Sequence, residues 1–172
     1  MDRRFIVGVL LAAAAMSPLA VKANVVIGIE AEQFAWTTPF KVASDPNALD
    51  GKYVLVPKGA RPEGSGSTSV QLPSAGDYYL WVRVRAPSGA DRWLTLEIGG
   101  RRYAWQMVSP TDWHWERVSS ADRLDATKPA VVSVRTPGTY ALKVLAGKDG
   151  IALNKVVITD DAYYVPLDHC HV

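Results

Sequence analysis

Cysteine is nearly absent: Cys170, close to the C-terminus, is the only one in 172 residues. An internal disulfide is therefore excluded, and packing must hold the fold together, with or without help from a metal. The chain also lacks any Lys/Arg-rich run, and its formal charge is only +2. A field strong enough to select nucleic acid or anionic lipid is missing. There is no phosphate loop, no dinucleotide fingerprint and no paired-cysteine metal motif. Beyond the first two dozen residues no amphipathic helical period and no internal repeat is found.

Those first residues read as an export signal. Arg3 and Arg4 form a basic start, Phe5 to Ala15 an apolar run, and Val21-Lys22-Ala23 a small-residue cleavage site. The run, interrupted by Ser17, Pro18 and Lys22, falls short of the roughly 20 apolar residues that span a bilayer. The expected organisation is a helical signal peptide over 1–23, removed on export, and one domain over 24–172, in the periplasm or secreted and not inserted in a membrane. Cleavage takes Asp2, Arg3, Arg4 and Lys22 with it, which brings the formal charge of +2 to zero.

What the remainder has is a period of two. In Asp77–Arg85, Tyr78, Leu80, Val82 and Val84 alternate with Tyr79, Trp81, Arg83 and Arg85, so the apolar set is the expected core face. Trp93–Ile98 and Arg101–Trp105 flank Gly99-Gly100, a hairpin with glycines free to take positive φ. Further strands are expected at Val25–Glu30, Lys52–Val56, Thr68–Leu72, Trp113–Val118, Ala130–Val134, Gly138–Leu145 and Ile151–Thr159, with prolines between several of them. Arg61–Ser67 reads as a surface loop. Short strands at this spacing define an all-β, single-domain β-sandwich or jelly roll.

Several residue groups invite chemistry. Glu30 and Glu32, separated by Ala31, project from one face of an extended strand and form either a calcium site or a solvated edge. Asp112, His114 and Glu116 also share a face, but they span about 13 Å when extended, too far to act on one atom. Ser65 and Ser67 lack the strand–elbow–helix setting of a hydrolase nucleophile. His169, Cys170 and His171 could hold a soft metal, tether a partner through an intermolecular disulfide, or form an inert tail.

The order of Ile29-Glu30-Ala31-Glu32, Asp50–Val54, Ala75–Val84, Trp113-His114-Trp115, Pro137–Val144 and Gly150–Thr159 resembles carbohydrate-binding modules of the family 6, 35 and 36 type, β-sandwiches with a galactose-binding-like fold. The resemblance implies non-catalytic binding of a polysaccharide or oligosaccharide and a structural calcium held by Glu30, Glu32 and the last-strand position occupied here by Asn154. Asparagine offers a neutral oxygen where the family has aspartate. A sugar-binding asparagine of many such modules falls on Ala152. Loop aromatics that stack on a sugar face would be Trp36 and Trp113, each bordering a turn-like stretch, and Tyr53, whose segment approaches the binding cleft in the resembling family. Trp81 and Trp115, inside strand patterns, read as packed rings. Arg83 and Arg85 read as outward and solvated, or as partners for the carboxylate of an acidic sugar. The alternative role is a structural or adaptor subunit of an extracellular or periplasmic assembly.

Overall fold

A computed structural model describes residues 23–61, 63–86, 93–107, 112–119 and 128–167. The export signal and the Asp168–His171 tail lie outside them, apart from Ala23 at the signal's end.

Among the described residues, the alternation seen in the sequence builds twelve strands in two antiparallel sheets. They are β1 (Val26–Glu30), β2 (Ala35–Trp36), β3 (Lys41–Ser44), β4 (Lys52–Leu55), β5 (Ser65–Leu72), β6 (Gly76–Arg85), β7 (Trp93–Ile98), β8 (Arg101–Gln106), β9 (His114–Arg117), β10 (Val131–Val134), β11 (Gly138–Leu145) and β12 (Ala152–Thr159). One sheet runs β10-β6-β12-β4-β3, with β1 added to β12 and β9 to β6; the other runs β2-β5-β11-β7-β8. The all-β sandwich expected from the sequence is the observed architecture.

The core lies between the sheets. From β6, Tyr78, Leu80, Val82 and Val84 are fully buried there, and from the opposite sheet Leu72, Leu96, Leu142 and Val144 meet them. This two-layer burial is the main source of stability in a chain without a disulfide. Gly99 and Gly100 adopt φ of 59° and 76° between β7 and β8, the left-handed pair that a two-residue hairpin turn requires. Among the described residues no helix is long and apolar enough to cross a membrane.

The structure departs from the sequence reading in three places. Two short strands, β2 and β3, are additions; they are too brief to show a period. The stretch read as a loop over 61–67 ends earlier, because Ser65, Gly66 and Ser67 already belong to β5 and pair with β11. And β1 stops at Glu30, so Glu32 sits in a short 3₁₀ turn (Ala31–Gln33) instead of sharing a strand face with Glu30.

Candidate functional site

With one face of β6 in the core, Tyr79, Trp81, Arg83 and Arg85 face outward from the seven-stranded sheet. Arg83 pairs in register with Trp115 of β9 and Arg85 with Ala152 of β12. Trp113, just before β9, continues the outward row of Trp115. The loop between β3 and β4, which contains Asp45 and Asn47, closes over this face. The result is a cavity of about 460 Å³ lined by Asn47, Arg83, Arg85, Asp112 and Trp113.

Asp45 organises the cavity wall. Its Oδ2 accepts from Arg85 Nη1 at 2.6 Å and from Trp113 Nε1 at 3.1 Å, and its Oδ1 accepts from the Asn47 backbone N–H at 2.9 Å. The Arg85 guanidinium lies 4.8 Å from the Trp113 ring centroid and 5.3 Å from that of Tyr53. Tyr53 meets Trp113 edge-on, with centroids 5.4 Å apart at 70°. Such edge and cation contacts fix ring orientation as well as adding attraction. The N–H of Asn47, then Trp113 and Arg85, hold the Asp45 carboxyl below the usual aspartate range.

That shift has a sign. Asp45 releases its proton more readily folded than unfolded, so its contribution to stability is complete above the ordinary aspartate pKa of about 3.9 and is lost as pH falls through the lower folded value. Acidification from pH 5 to pH 3 should therefore destabilise the wild type more than Asp45→Asn. Urea midpoints of both proteins across that range check this; equal slopes would show that Asp45 is not the responsible group.

Arg83 corrects the sequence reading: it is 5% exposed, not a solvated outward cation. Its Nη1 donates to Asn154 Oδ1 at 3.2 Å and to the Asn47 carbonyl at 3.3 Å. Asn154, fully buried, occupies a register irregularity in β12 between Leu153 and Lys155. Its Oδ1 also accepts from the Leu49 N–H at 3.1 Å, while Nδ2 donates to the carbonyls of Leu49 at 3.0 Å and Lys52 at 2.8 Å. Donors on one side and acceptors on the other fix the amide orientation.

Asn154 thus does not join Glu30 and Glu32 in a metal site. It presents N–H donors to two backbone carbonyls, the reverse of what a cation's ligand offers. Glu30 carries an ion pair to Lys155, and burial pushes its carboxyl above the usual range while Lys155 opposes the shift. Glu30 Oε2 and Glu32 Oε2 are buried without partners. Among the described residues no three Asp, Glu, His or Cys side chains come together to hold a metal. As arranged here the donor set does not fit calcium: a lysine ammonium meets Glu30, and the Asn154 amide donates to the Leu49 and Lys52 carbonyls. The expected melting temperature is the same in calcium as in chelator; a rise of several degrees at millimolar calcium would sink this reading.

Of the three expected sugar-stacking rings, the structure brings Tyr53 and Trp113 together and places Trp36 elsewhere. Trp36 lies on the other sheet, between Phe34 and Phe40 at centroid distances of 5.5 and 4.4 Å, and its Nε1 donates to the Ala31 carbonyl at 2.7 Å. It is a packed ring because Gly66 opposite leaves the space: a Cβ there would sit 2.4 Å from the indole. Trp36→Ala is expected to cost about 3 kcal/mol of stability, and Gly66→Ala to destabilise as well, with glycan affinity of the folded protein unchanged. Denaturant titration beside a binding assay checks both.

His114 and Glu116 do meet, through Nε2 and Oε1 at 2.6 Å, while His114 Nδ1 contacts the Asp112 carbonyl at 2.8 Å. Both imidazole nitrogens thus have partners within the protein. Sequence reasoning missed Asp45, whose role depends on a loop fold that no periodicity reveals.

No protein-family profile matches the chain. An uncharacterized protein of Formosa agariphila, P23, is 26% identical over 110 residues, which cover 59% of this chain and 26% of that protein; the chain spans about a quarter of that relative's length. Among solved structures, the family 35 carbohydrate-binding module of Clostridium thermocellum superposes with a TM-score of 0.60 at 16% identity, covering 78% of this chain and 97% of that one. The family 6 module CBM6cm-2 of Cellvibrio mixtus lichenase 5A, in complex with cellotriose, gives 0.58 at 20% identity, with 78% and 97% covered. The GH26-CBM35 β-(1,4)-mannanase of Podospora anserina gives 0.61 at 12% identity, covering 82% of this chain and 29% of the enzyme. The chain has the β-sandwich fold of the family 35 and family 6 carbohydrate-binding modules.

Proposed function

We propose that this protein binds a polysaccharide or oligosaccharide, without catalysis, in the cavity walled by Trp113, Arg85, Arg83 and Asn47, and that it acts outside the cytoplasm. The observation that carries the reading is the convergence of an oriented indole, two arginines and the polar residues Asn47 and Asp112 on one open cavity. A sugar needs this combination: an apolar ring for its C–H face and directional partners for its hydroxyls. The likeness to the Clostridium and Cellvibrio modules supports it. The engagement of both His114 nitrogens supports the absence of catalysis.

A glycan array probed with wild type and Trp113→Ala tests this. Binding to one glycan class that the folded variant loses is the expected result; an array silent for wild type would overturn it. One observation favours the runner-up, an adaptor subunit of an assembly. Tyr163, Val165 and Leu167 alternate at the C-terminal end of the described chain, exposed by 93%, 61% and 77%, which is a surface an extended protein partner could cover. In that case a silent array would be accompanied by self-association or co-purification that is lost when the three residues are changed to serine.

A further inference from the structure

The sequence leaves Arg85 open to the carboxylate of an acidic sugar, but the structure fills that place from within. Asp45 Oδ2 accepts from Arg85 Nη1 at 2.6 Å, and the same oxygen accepts from Trp113 Nε1 at 3.1 Å. The Arg85 side chain is one-third exposed and lines the cavity, so a ligand can reach it. What the ligand meets there is a guanidinium already paired with a carboxylate.

That carboxylate is fixed by the loop that carries it. Its Oδ1 accepts from the Asn47 N–H at 2.9 Å, the Asp45 carbonyl accepts from the Ala48 N–H at 3.0 Å, and the Asp45 N–H donates to the Gly51 carbonyl at 3.0 Å. Asp45 cannot swing aside without breaking the bonds that shape the turn between β3 and β4. Arg83 is no more available: it is 5% exposed and donates to Asn154 Oδ1 and the Asn47 carbonyl. Asp112 adds a second carboxylate to the lining, so that among the described residues the site has one carboxylate for each guanidinium. The hydrogen bonds that hold the Asp45 carboxyl below the usual aspartate range also keep it ionised through neutral and mildly acidic pH. A ligand carboxylate brought to Arg85 would lie beside this charge and be repelled. A sugar hydroxyl meets no such repulsion and can accept from the other N–H groups of the guanidinium, which has five donors in all.

Resting on the carbohydrate reading, we propose that Asp45 is the specificity-determining residue of the cavity: its carboxylate takes the place on Arg85 that a ligand carboxylate would take, so the cavity selects an uncharged sugar over the uronate of the same ring. Specificity is a difference of affinities, and a like charge set against the wrong ligand creates one as surely as a new contact to the right ligand. Removing that charge should admit uronates.

The test has two readouts on the full protein. Calorimetric titration compares cellotetraose, mannotetraose and galactotetraose, each with its C6-oxidised uronate counterpart, on wild type, Asp45→Asn and Asp45→Ser. The quantity read is the ratio of neutral to acidic affinity within each protein, because a merely structural fault weakens both and leaves the ratio alone. In parallel, the assigned Arg85 Nε–H resonance is followed in nitrogen–proton correlation spectra during titration with acetate at constant ionic strength. The expected ratio in wild type is about tenfold or more in favour of the neutral member of a bound pair, falling by about tenfold in the variants. Acetate should move the Arg85 signal in the variants alone. A wild type that binds a uronate as tightly as its neutral counterpart, or whose Arg85 signal moves with acetate, overturns the proposal whether or not the variants fold. A ratio unchanged in a folded variant overturns it too, and each of these results leaves the cavity reading intact. If wild type binds none of these glycans and none on the array, yet acetate moves Arg85 in the variants alone, the internal anion stands and the carbohydrate reading fails; if acetate then moves it in no protein, both fail.

Discussion

Changing Trp113 to alanine should weaken glycan binding about 30-fold or more while the protein remains folded. The ring sits at the convergence of the site, with Tyr53 edge-on at 5.4 Å, Arg85 at 4.8 Å and Arg83 at 5.5 Å from its centroid. Aromatic residues at the centre of a binding site commonly account for about 2 kcal/mol or more each, and 1.4 kcal/mol is a factor of ten in affinity. Trp113 is only partly buried, so its loss opens no core cavity and the fold should survive. It does release Asp45 from one donor and Arg85 from one ring, so Trp113→Phe is the sharper companion. It keeps the flat face but drops the hydrogen bond to Asp45 at 3.1 Å. The expected order of affinity is wild type, then Phe, then Ala. Calorimetry on the glycan class selected by the array measures it. An alanine variant that binds within threefold of wild type would move the site elsewhere on the molecule.

The sandwich was legible in the sequence; the contact between Trp113 and Tyr53 is what the structure adds. Alternation over ten residues of β6 is enough to fix which face is core, since a one-residue slip would put Tyr78, Leu80, Val82 and Val84 in water. The Gly99-Gly100 turn was legible for the same reason: local backbone chemistry decides it. What periodicity cannot show is what a loop does once it folds back. Asp45 and Asn47 lie in the short connection between β3 and β4, and their effect on Trp113 and Arg85 depends on contacts 36 to 68 residues away in sequence.

The errors at Trp36 and Arg83 share a cause. A tryptophan before Thr-Thr-Pro looks like an exposed loop ring, but a glycine on a neighbouring strand made room to pack it half-buried. An arginine on the outward face of a strand looks solvated, but Asn154 and the Asn47 carbonyl close over it. In both cases a partner distant in sequence overrides the local pattern.

Asn154→Ala should then lower stability by about 4 kcal/mol, the largest loss expected from any single outward-facing side chain. The amide serves four groups at once: the N–H of Leu49, the guanidinium of Arg83, and the carbonyls of Leu49 and Lys52. Removing it leaves each without that partner, in a position of 0% exposure. A buried polar group that loses its partner costs about 1–3 kcal/mol, and relaxation of the 47–52 loop recovers part of the total. At about 3 °C per kcal/mol for a domain of this size, the melting temperature should fall by about 12 °C. Asn154→Leu separates polarity from volume: it restores the bulk yet satisfies none of the four groups, so it should be as unstable as the alanine variant. A leucine variant that melts near wild type would show that packing, not hydrogen bonding, holds the position. The loss should also reach the site, because the loop that Asn154 pins through Leu49 and Lys52 is the one that carries Asp45 and Asn47 to the cavity. Glycan affinity measured well below the melting transition should therefore fall in both variants, although Asn154 itself does not line the cavity.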